Sequence, residues 1–378
     1  MGARICVVGA GRSGGVAAAC LAELGHRVRA VDVDAERVAG LSAGRAPFFE
    51  PGLDGLLVRN LAAGRLSFTT TIAEAVPHAE YIVLAVNTPP QGNGEANLAA
   101  VKAALHDLTP LLEQHAVVVT RSTVPVGTNG WIARTLRGER PELAVDVVSN
   151  PEFLREGHAV ADFMRPDRIV IGAGDRPAAA RVAALYRGID CPVVLTDVET
   201  AEVAKYAANA YLATSVSFMN EIANICERTG ADVSVVSRAL ALDGRIGPRA
   251  YLSPGIGFGG SCLPKDLRAL ICTAESHGYT PALLRSVREV NELQPARTVD
   301  HLREIYDGLD GLPVAVLGLS FKGDTFDLRS SPALAVVRLL VQAGARVRAF
   351  DPFADGTERA ELDPAVELAP NAYAAASG

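Results

Sequence analysis

Cys262 stands in Gly257-Phe258-Gly259-Gly260-Ser261-Cys262-Leu263-Pro264-Lys265-Asp266. Pro264, at a first helical position, directs a helix N-terminus toward the sulfur, an arrangement that favours the nucleophilic thiolate. At the other end of the chain an apolar strand, Arg4-Ile5-Cys6-Val7-Val8, runs into Gly9-Ala10-Gly11-Arg12-Ser13-Gly14 and then into an alanine-rich helical stretch, Val16 to Leu24. This is a dinucleotide-binding fingerprint in its required strand-turn-helix context. Gly9 permits the tight turn, Gly11 lets backbone amides approach a pyrophosphate, and Gly14 allows close helix-strand packing. The next strand, Val28 to Val31, ends at Asp32, where a carboxylate accepts from both adenosine ribose hydroxyls and repels a 2′-phosphate. NAD is therefore expected over NADP, with Arg37 nearby as the counter-argument. Without a hydride acceptor, a structural cysteine would be the better reading of Cys262. With one, covalent catalysis at the aldehyde level is, because an aldehyde gives up a hydride only after a nucleophile has made its carbon tetrahedral.

Other residues pair by spacing. Lys205 and Asn209 are four apart on one helical pattern and so share a face, with Asn220 close to three turns further on. An ammonium beside an amide can stabilise an oxyanion, although spacing alone favours a solvated lysine next to a surface asparagine. Glu152 and Glu156 are also four apart. Paired carboxylates can divide acid and base roles; alone, they read as decoration at a helix start.

The elements that must position these residues follow an α/β plan. Strands at Tyr81 to Val86, Ala116 to Thr120, Asp146 to Ser149 and Arg168 to Gly172 alternate with helices, which indicates a parallel sheet. Ligands bind at the carboxyl ends of such strands, which selects the loops holding Thr88, Thr123 and Asn150 to Gly157. Residues 199 to about 229 form one long helical pattern ended by Gly230. Finally Val314 to Gly318, a helix from Pro332 to Gln342, and Arg346 to Asp351 give a second β-α-β start. Gly344 to Asp351 echoes Gly25 to Asp32. The expected division is an NAD-binding domain at 1–198, a central helical domain at 199–297 and a second, shortened Rossmann-like domain at 298–378.

The 378 residues suit two or three domains. A net charge of −7 and the lack of a basic cluster argue against a nucleic-acid surface. No run approaches the roughly 20 apolar residues of a membrane span and the chain opens on a strand, so a cytoplasmic location is expected. The six cysteines lack metal-ligand spacing, no metal is expected, and most lie in apolar segments as small hydrophobes.

These motifs together resemble the UDP-glucose/GDP-mannose dehydrogenases. Gly9-Ala10-Gly11, Ser122 to Thr128, Asn150 to Gly157, Ala204-Lys205-Tyr206-Ala207-Ala208-Asn209, Gly257 to Asp266 and Phe321-Lys322-Gly323-Asp324-Thr325 occur in the family's order. The resemblance implies a double oxidation of a sugar C6 alcohol to a carboxylate with two NAD in succession, through a Cys262 thiohemiacetal and then a thioester. By the same resemblance Lys205 and Asn209 stabilise the oxyanion, Asp266 orders water and tunes the lysine, Glu152 serves hydrolysis, and Thr123 lies near the nicotinamide. Glu156 supports the site, and Thr88, Arg37, Glu156 and Lys265 join the glycines and Asp32 as cofactor contacts. Substrate contacts are implied at Glu152, Phe153, Leu154, Lys205, Asn209, Arg245, Tyr251 and Gly259, with Lys322 and Arg329 as cations for the pyrophosphate.

Gly244-Arg245-Ile246-Gly247, Tyr251-Leu252 and Pro166 to Gly172 resemble the UDP-glucose branch, whereas Phe258 and Leu263 to Leu270 also suit the GDP-mannose branch. UDP-glucose is the favoured substrate, with GDP-mannose or a UDP-N-acetylhexosamine as alternatives. Phe326 and Ser330 depart from the family pattern, and the third domain stops early, which would leave a small sheet poorly able to bury its own core. A homodimer is implied through the long helix, whose Tyr211, Leu212, Val216, Phe218 and Ile222 serve equally well as intrachain core. A non-catalytic nucleotide-sugar or NAD sensor and a two-electron 3-hydroxyacid dehydrogenase are the competing functions; neither has a use for the thiol.

Overall fold

A computed structural model describes residues 2–247, 250–325, 327–353 and 357–377; the departure at Phe326 lies outside them. Residues 1–206 form one compact unit and residues 207–378 a second.

The first unit is built on eight short strands, β1 (Arg4–Val8), β2 (Arg27–Val31), β3 (Leu66–Thr69), β4 (Tyr81–Leu84), β5 (Val117–Thr120), β6 (Asp146–Ser149), β7 (Ile169–Ala173) and β8 (Val193–Thr196). They lie in the order β3-β2-β1-β4-β5-β6-β7-β8. Neighbours are parallel except β6 and β7, which run antiparallel. Because successive side chains leave a strand on opposite faces, β1 feeds two cores: Ile5 and Val7 join one with the fingerprint helix Arg12–Glu23, and Cys6 and Val8 the other with the helices Ala99–Leu108 and Thr128–Glu139. The expected role of the cysteines as small hydrophobes fits Cys6 and Cys20, where burial pushes each thiol up to about 12. The strand order reverses between β1 and β4, and a sheet of this kind opens its ligand crevice at that point.

The long helix runs Val198–Thr229 and stops before Gly230, whose φ of 75° suits a helix C-terminus. Glu202, 3% exposed, fixes its start within the first unit. The carboxylate accepts from the backbone N–H groups of Gly127 (2.6 Å) and Asn129 (2.9 Å) and from Asn129 Nδ2 (2.7 Å), at the N-terminus of helix Thr128–Glu139. That is where a helix favours negative charge.

In the second unit the helices Val233–Leu242, Leu263–Ser276 and Ala282–Tyr306 precede a three-stranded parallel sheet of β9 (Pro313–Leu317), β10 (Arg346–Phe350) and β11 (Glu367–Leu368), in the order β11-β10-β9. Helix Ala282–Tyr306 passes unbroken through Pro295, so the expected boundary at 297–298 falls inside a helix. Its Val299 is buried with Leu319, Val337, Leu340, Val347 and Ala349. The small sheet therefore completes its core with the preceding helix rather than by itself. The echo between head and tail is structural. Gly9 N–H bonds to the Val31 carbonyl at 2.8 Å, and Gly318 N–H bonds to that of Phe350 at 2.7 Å. Asp32 accepts from Ala10 N–H, and Asp351 accepts from those of Leu319 and Ser320.

Burial holds the Glu202 carboxyl above its ordinary value of 4.5. The folded state thus binds a proton more tightly than the unfolded chain, and this contribution, full below 4.5, fades as pH rises through the folded pKa. Thermal unfolding of wild type and Glu202→Gln should show a difference in Tm that moves against wild type across that acid window. A gap independent of pH would contradict it.

Candidate active site

The fingerprint turn is shaped as a nucleotide needs. Gly9 has φ 94°, and a side chain at Gly14 would bring a Cβ within 1.8 Å of the Gly9 carbonyl oxygen, so the helix can approach the strand only with glycine there. A Cβ at Gly11 would meet nothing within 4 Å. It would stand in the open space where a pyrophosphate must reach the amides. Asp32, 8% exposed, ends β2 with Oδ2 on Ala10 N–H (2.7 Å) and Oδ1 on Asp34 N–H (3.0 Å) and Arg37 Nη1 (2.8 Å). Arg37 is thereby paired with Asp32 and, at 3.1 Å, with Asp34. Its charge is spent on carboxylates, which weakens its standing as a 2′-phosphate receptor. These residues fit NAD.

Around the carboxyl ends of the central strands the loops hold one another. Thr88 is buried and donates to the Thr123 carbonyl at 2.8 Å, and Ser122 donates to that of Val86 at 2.6 Å. Thr123 is half-buried. Glu152 and Glu156 lie in a loop, not at a helix start, because Pro151 and Gly157 (φ 78°) bracket a segment that turns before helix Ala159–Met164. Glu152 Oε2 caps Leu154 N–H at 2.6 Å, while Oε1 is 3.7 Å from Lys205 Nζ. Glu156 Oε1 meets Arg12 Nη1 at 2.5 Å, beside the fingerprint. Phe153 is covered on its ring by Arg168 (3.8 Å to the centroid) and Lys205 (5.5 Å). Leu154 packs onto the core that holds helix Arg12–Glu23.

Lys205 and Asn209 are not solvated: they are 4% and 7% exposed. The helix turns this face inward, where Ala201 and Ala210 are also buried. Within the second unit Asn209 Nδ2 donates to Asp266 Oδ2 at 2.6 Å, and Lys265 Nζ to Asp266 Oδ1 at 2.6 Å. Asp266 is 1% exposed. Lys265, proposed from sequence for the cofactor, thus serves here as the counter-charge of Asp266.

Cys262 immediately precedes helix Leu263–Ser276, with Pro264 in its first turn, and is exposed; Ser261 Oγ lies 3.6 Å from its sulfur. The glycines before it answer to packing. A Cβ on Gly259 would sit 2.3 Å from the Ser330 carbonyl oxygen, and one on Gly260 2.7 Å from the Phe321 ring. Gly260 N–H also bonds to the Arg329 carbonyl at 2.9 Å. The backbone of the loop is thereby seated on Phe321, Arg329, Ser330 and Pro332, with Cys262 exposed. Arg329 forks onto Asp327 (Nε–Oδ1 2.8 Å, Nη2–Oδ2 2.5 Å), and Lys322 Nζ lies 5.9 Å from the Phe321 centroid. Arg245 pairs with Asp243 at 2.6 Å on an exposed side chain, and Tyr251 is 39% exposed.

Sequence reasoning missed Arg12, Glu50, Arg121, Tyr186 and Glu202. Only Arg12 carried a signal: a cation inside an anion-binding turn. The others act through contacts with segments 36 or more residues away. Among the described residues no cluster of His, Cys, Asp and Glu could hold a metal, and no helix is long and apolar enough to cross a membrane.

Residues 3–190 match the NAD binding domain of the UDP-glucose/GDP-mannose dehydrogenase family, residues 199–293 its central domain and residues 315–378 its UDP binding domain. The chain is 45% identical over 373 residues to a UDP-glucose 6-dehydrogenase of Bacillus subtilis, covering 98% of this chain and 81% of that one. A UDP-glucose dehydrogenase structure from Pyrobaculum islandicum superposes with a TM-score of 0.95 at 43% identity, over 99% of this chain and 88% of the other. A GDP-mannose dehydrogenase from Pseudomonas aeruginosa gives 0.63 at 35% identity, over 95% and 83%. With the fingerprint, the buried Lys205 and the exposed Cys262 all set in matched segments, this chain belongs to the UDP-glucose/GDP-mannose dehydrogenase family.

Proposed function

We propose that the protein oxidises UDP-glucose at C6 to UDP-glucuronate, taking four electrons in two NAD-dependent steps through covalent intermediates on Cys262. The observation that carries this reading is an exposed thiol at the start of a helix whose buried Asp266 is hydrogen-bonded to Asn209, one turn along the long helix from Lys205. UDP-glucose is preferred to GDP-mannose because the likeness to UDP-glucose dehydrogenases is greater in both identity and superposition.

NAD, when bound, accepts a hydride from C6 at each of the two oxidations, and the hydroxyl proton released in the first passes to water. Between them the Cys262 sulfur bonds to the aldehyde carbon, and the carbonyl oxygen takes up a proton to give a thiohemiacetal. Loss of that proton with the second hydride leaves a thioester. A water then bonds to the thioester carbon while Glu152 takes its proton, the C–S bond breaks, and the thiolate departs with the electron pair. Lys205 and Asn209 stabilise the oxyanion in each tetrahedral state. The ion pair with Glu152, Nζ to Oε1 3.7 Å, supports that role by placing the ammonium beside the carboxylate assigned to hydrolysis. Asp266 holds the Asn209 amide so that its second N–H remains for the substrate oxygen.

The three-part division at 1–198, 199–297 and 298–378 is assigned to cofactor, to the thiol and to the nucleotide sugar respectively. Arg245, Tyr251, Lys322 and Arg329 are proposed for the nucleotide sugar. A cytoplasmic location is part of the same proposal, since the reaction uses a free thiol. For a homodimer, the long helix offers Tyr211 and Phe218, 67% and 49% exposed, whereas Val216 packs into the cluster around Phe258 and Leu267.

Wild type should release two NADH per UDP-glucose. Cys262→Ala should form no uronate, and Cys262→Ser should stall with an aldehyde-level or ester adduct; continuous NADH assay with intact mass spectrometry reads all three. Full conversion by Cys262→Ala would refute the covalent route, and a panel of UDP- and GDP-sugars scored by NADH yield tests the substrate. Phe218→Asp should halve the mass seen by analytical ultracentrifugation if the helix face joins two copies, with secondary structure by circular dichroism unchanged.

A further inference from the structure

The loop that carries Glu152 and Glu156 is pinned at both ends by buried polar side chains that the reaction itself does not consume. At its start Asn150 is 2% exposed. Its Nδ2 donates to the Val170 carbonyl at 2.8 Å, and its Oδ1 accepts from the Tyr186 hydroxyl. The Tyr186 oxygen in turn accepts from Arg121 Nη1 at 3.2 Å. The Arg121 guanidinium, 5% exposed, lies 5.0 Å from the Phe163 centroid, and Phe163 packs 5.8 Å from the Tyr186 ring. At the other end of the loop the buried Glu50 accepts from Gly157 N–H at 3.0 Å and Val160 N–H at 3.4 Å.

Such a chain is expensive. A guanidinium and a phenol are both taken out of water, with Arg121 Nε left without a hydrogen-bond partner. Phenylalanine at 186 would fill the same ring volume with no polar group to satisfy. Burial raises the Tyr186 pKa, which keeps the phenol a neutral donor. The product of the arrangement is a fixed Asn150 side chain, two residues before Glu152 and with its own N–H on the Thr120 carbonyl at 2.9 Å. An amide whose two ends face a donor and an acceptor is held at both; without the phenol hydroxyl only the Val170 carbonyl holds it, and the Oδ1 end is left without its donor.

We propose that Tyr186 is a positioning residue for thioester hydrolysis: its hydroxyl, held by Arg121, locks Asn150, and Asn150 fixes the backbone that delivers the Glu152 carboxylate. This rests on the reading of Glu152 as the base that takes the water proton. Errors of about an ångström in placing a catalytic group cost on the order of 100-fold in rate, so losing one hydrogen bond of this chain is expected to slow hydrolysis roughly tenfold or more.

Three variants of the full chain separate the possibilities, each mixed rapidly with NAD and UDP-glucose and followed by NADH absorbance and intact mass. Tyr186→Phe should release the first NADH at the wild-type rate and lose kcat with KM falling alongside it, so that kcat/KM is kept, while an acyl adduct on Cys262 accumulates. Val182→Ala, which thins the same core without touching the hydrogen bonds, should lower Tm and accumulate no adduct. Glu152→Gln should accumulate the adduct. If Glu152→Gln accumulates it and Tyr186→Phe does not, the positioning role is overturned alone. If Glu152→Gln clears the thioester like wild type, the hydrolytic reading of Glu152 falls, and the role of Tyr186 falls with it. Equal slowing of both NADH phases in Tyr186→Phe, without adduct, would mark a merely structural effect and overturn the proposal.

Discussion

Lys205 carries its ammonium to a position only 4% exposed, and the Glu152 carboxylate lies 3.7 Å from it. Burial strengthens the field between the two charges, and under the proposed mechanism that field acts on the developing oxyanion. Much of the first unit answers to this demand. Glu202, one turn before Lys205, fastens the start of the long helix to the N-terminus of helix Thr128–Glu139. The loop that bears Glu152 is fastened by Asn150 at one end and by Glu50 at the other. Ammonium and carboxylate thus come from two elements, each tied down separately.

The thiol is governed by a different constraint. Under the proposed covalent route its sulfur must be accessible while its backbone stays fixed. The Cys262 loop meets both needs by seating Gly259 and Gly260 against Ser330 and Phe321, where any Cβ would collide, and by leaving the sulfur exposed ahead of a proline-started helix. The glycines before the cysteine are, in the fold, the means of close packing. The contrast with Cys6 and Cys20 is physical: burial raises both thiols to about 12, which leaves them unreactive as nucleophiles.

The repeated βαβ start shows how one local solution serves twice. In both copies a glycine N–H bonds to the last carbonyl of the neighbouring strand, and an aspartate just beyond that strand accepts from the turn. The second copy is small, and its core is completed by Val299 of the preceding helix. Its fold therefore depends on the central segment, in keeping with the low ratio of buried to exposed surface available to so short a sheet.

Local chemistry was legible in the amino-acid order. The fingerprint glycines, the strand ending at Asp32, the helix ended by Gly230 and the cysteine at a proline-marked helix start all follow from backbone sterics and periodicity over a few residues, and the ordered blocks of motifs gave the family. Environment was not legible. Spacing made Lys205 and Asn209 look solvated and Glu152 and Glu156 look like helix decoration, because four-residue spacing says which face is shared but not what covers it. Arg37 and Lys265 each turned out to face a carboxylate, and Tyr186 and Glu50 drew no notice at all. Their roles come from contacts between residues far apart in the chain, and a side chain's charge state and partners are set by those neighbours rather than by its own type. Only the tertiary structure brings them together.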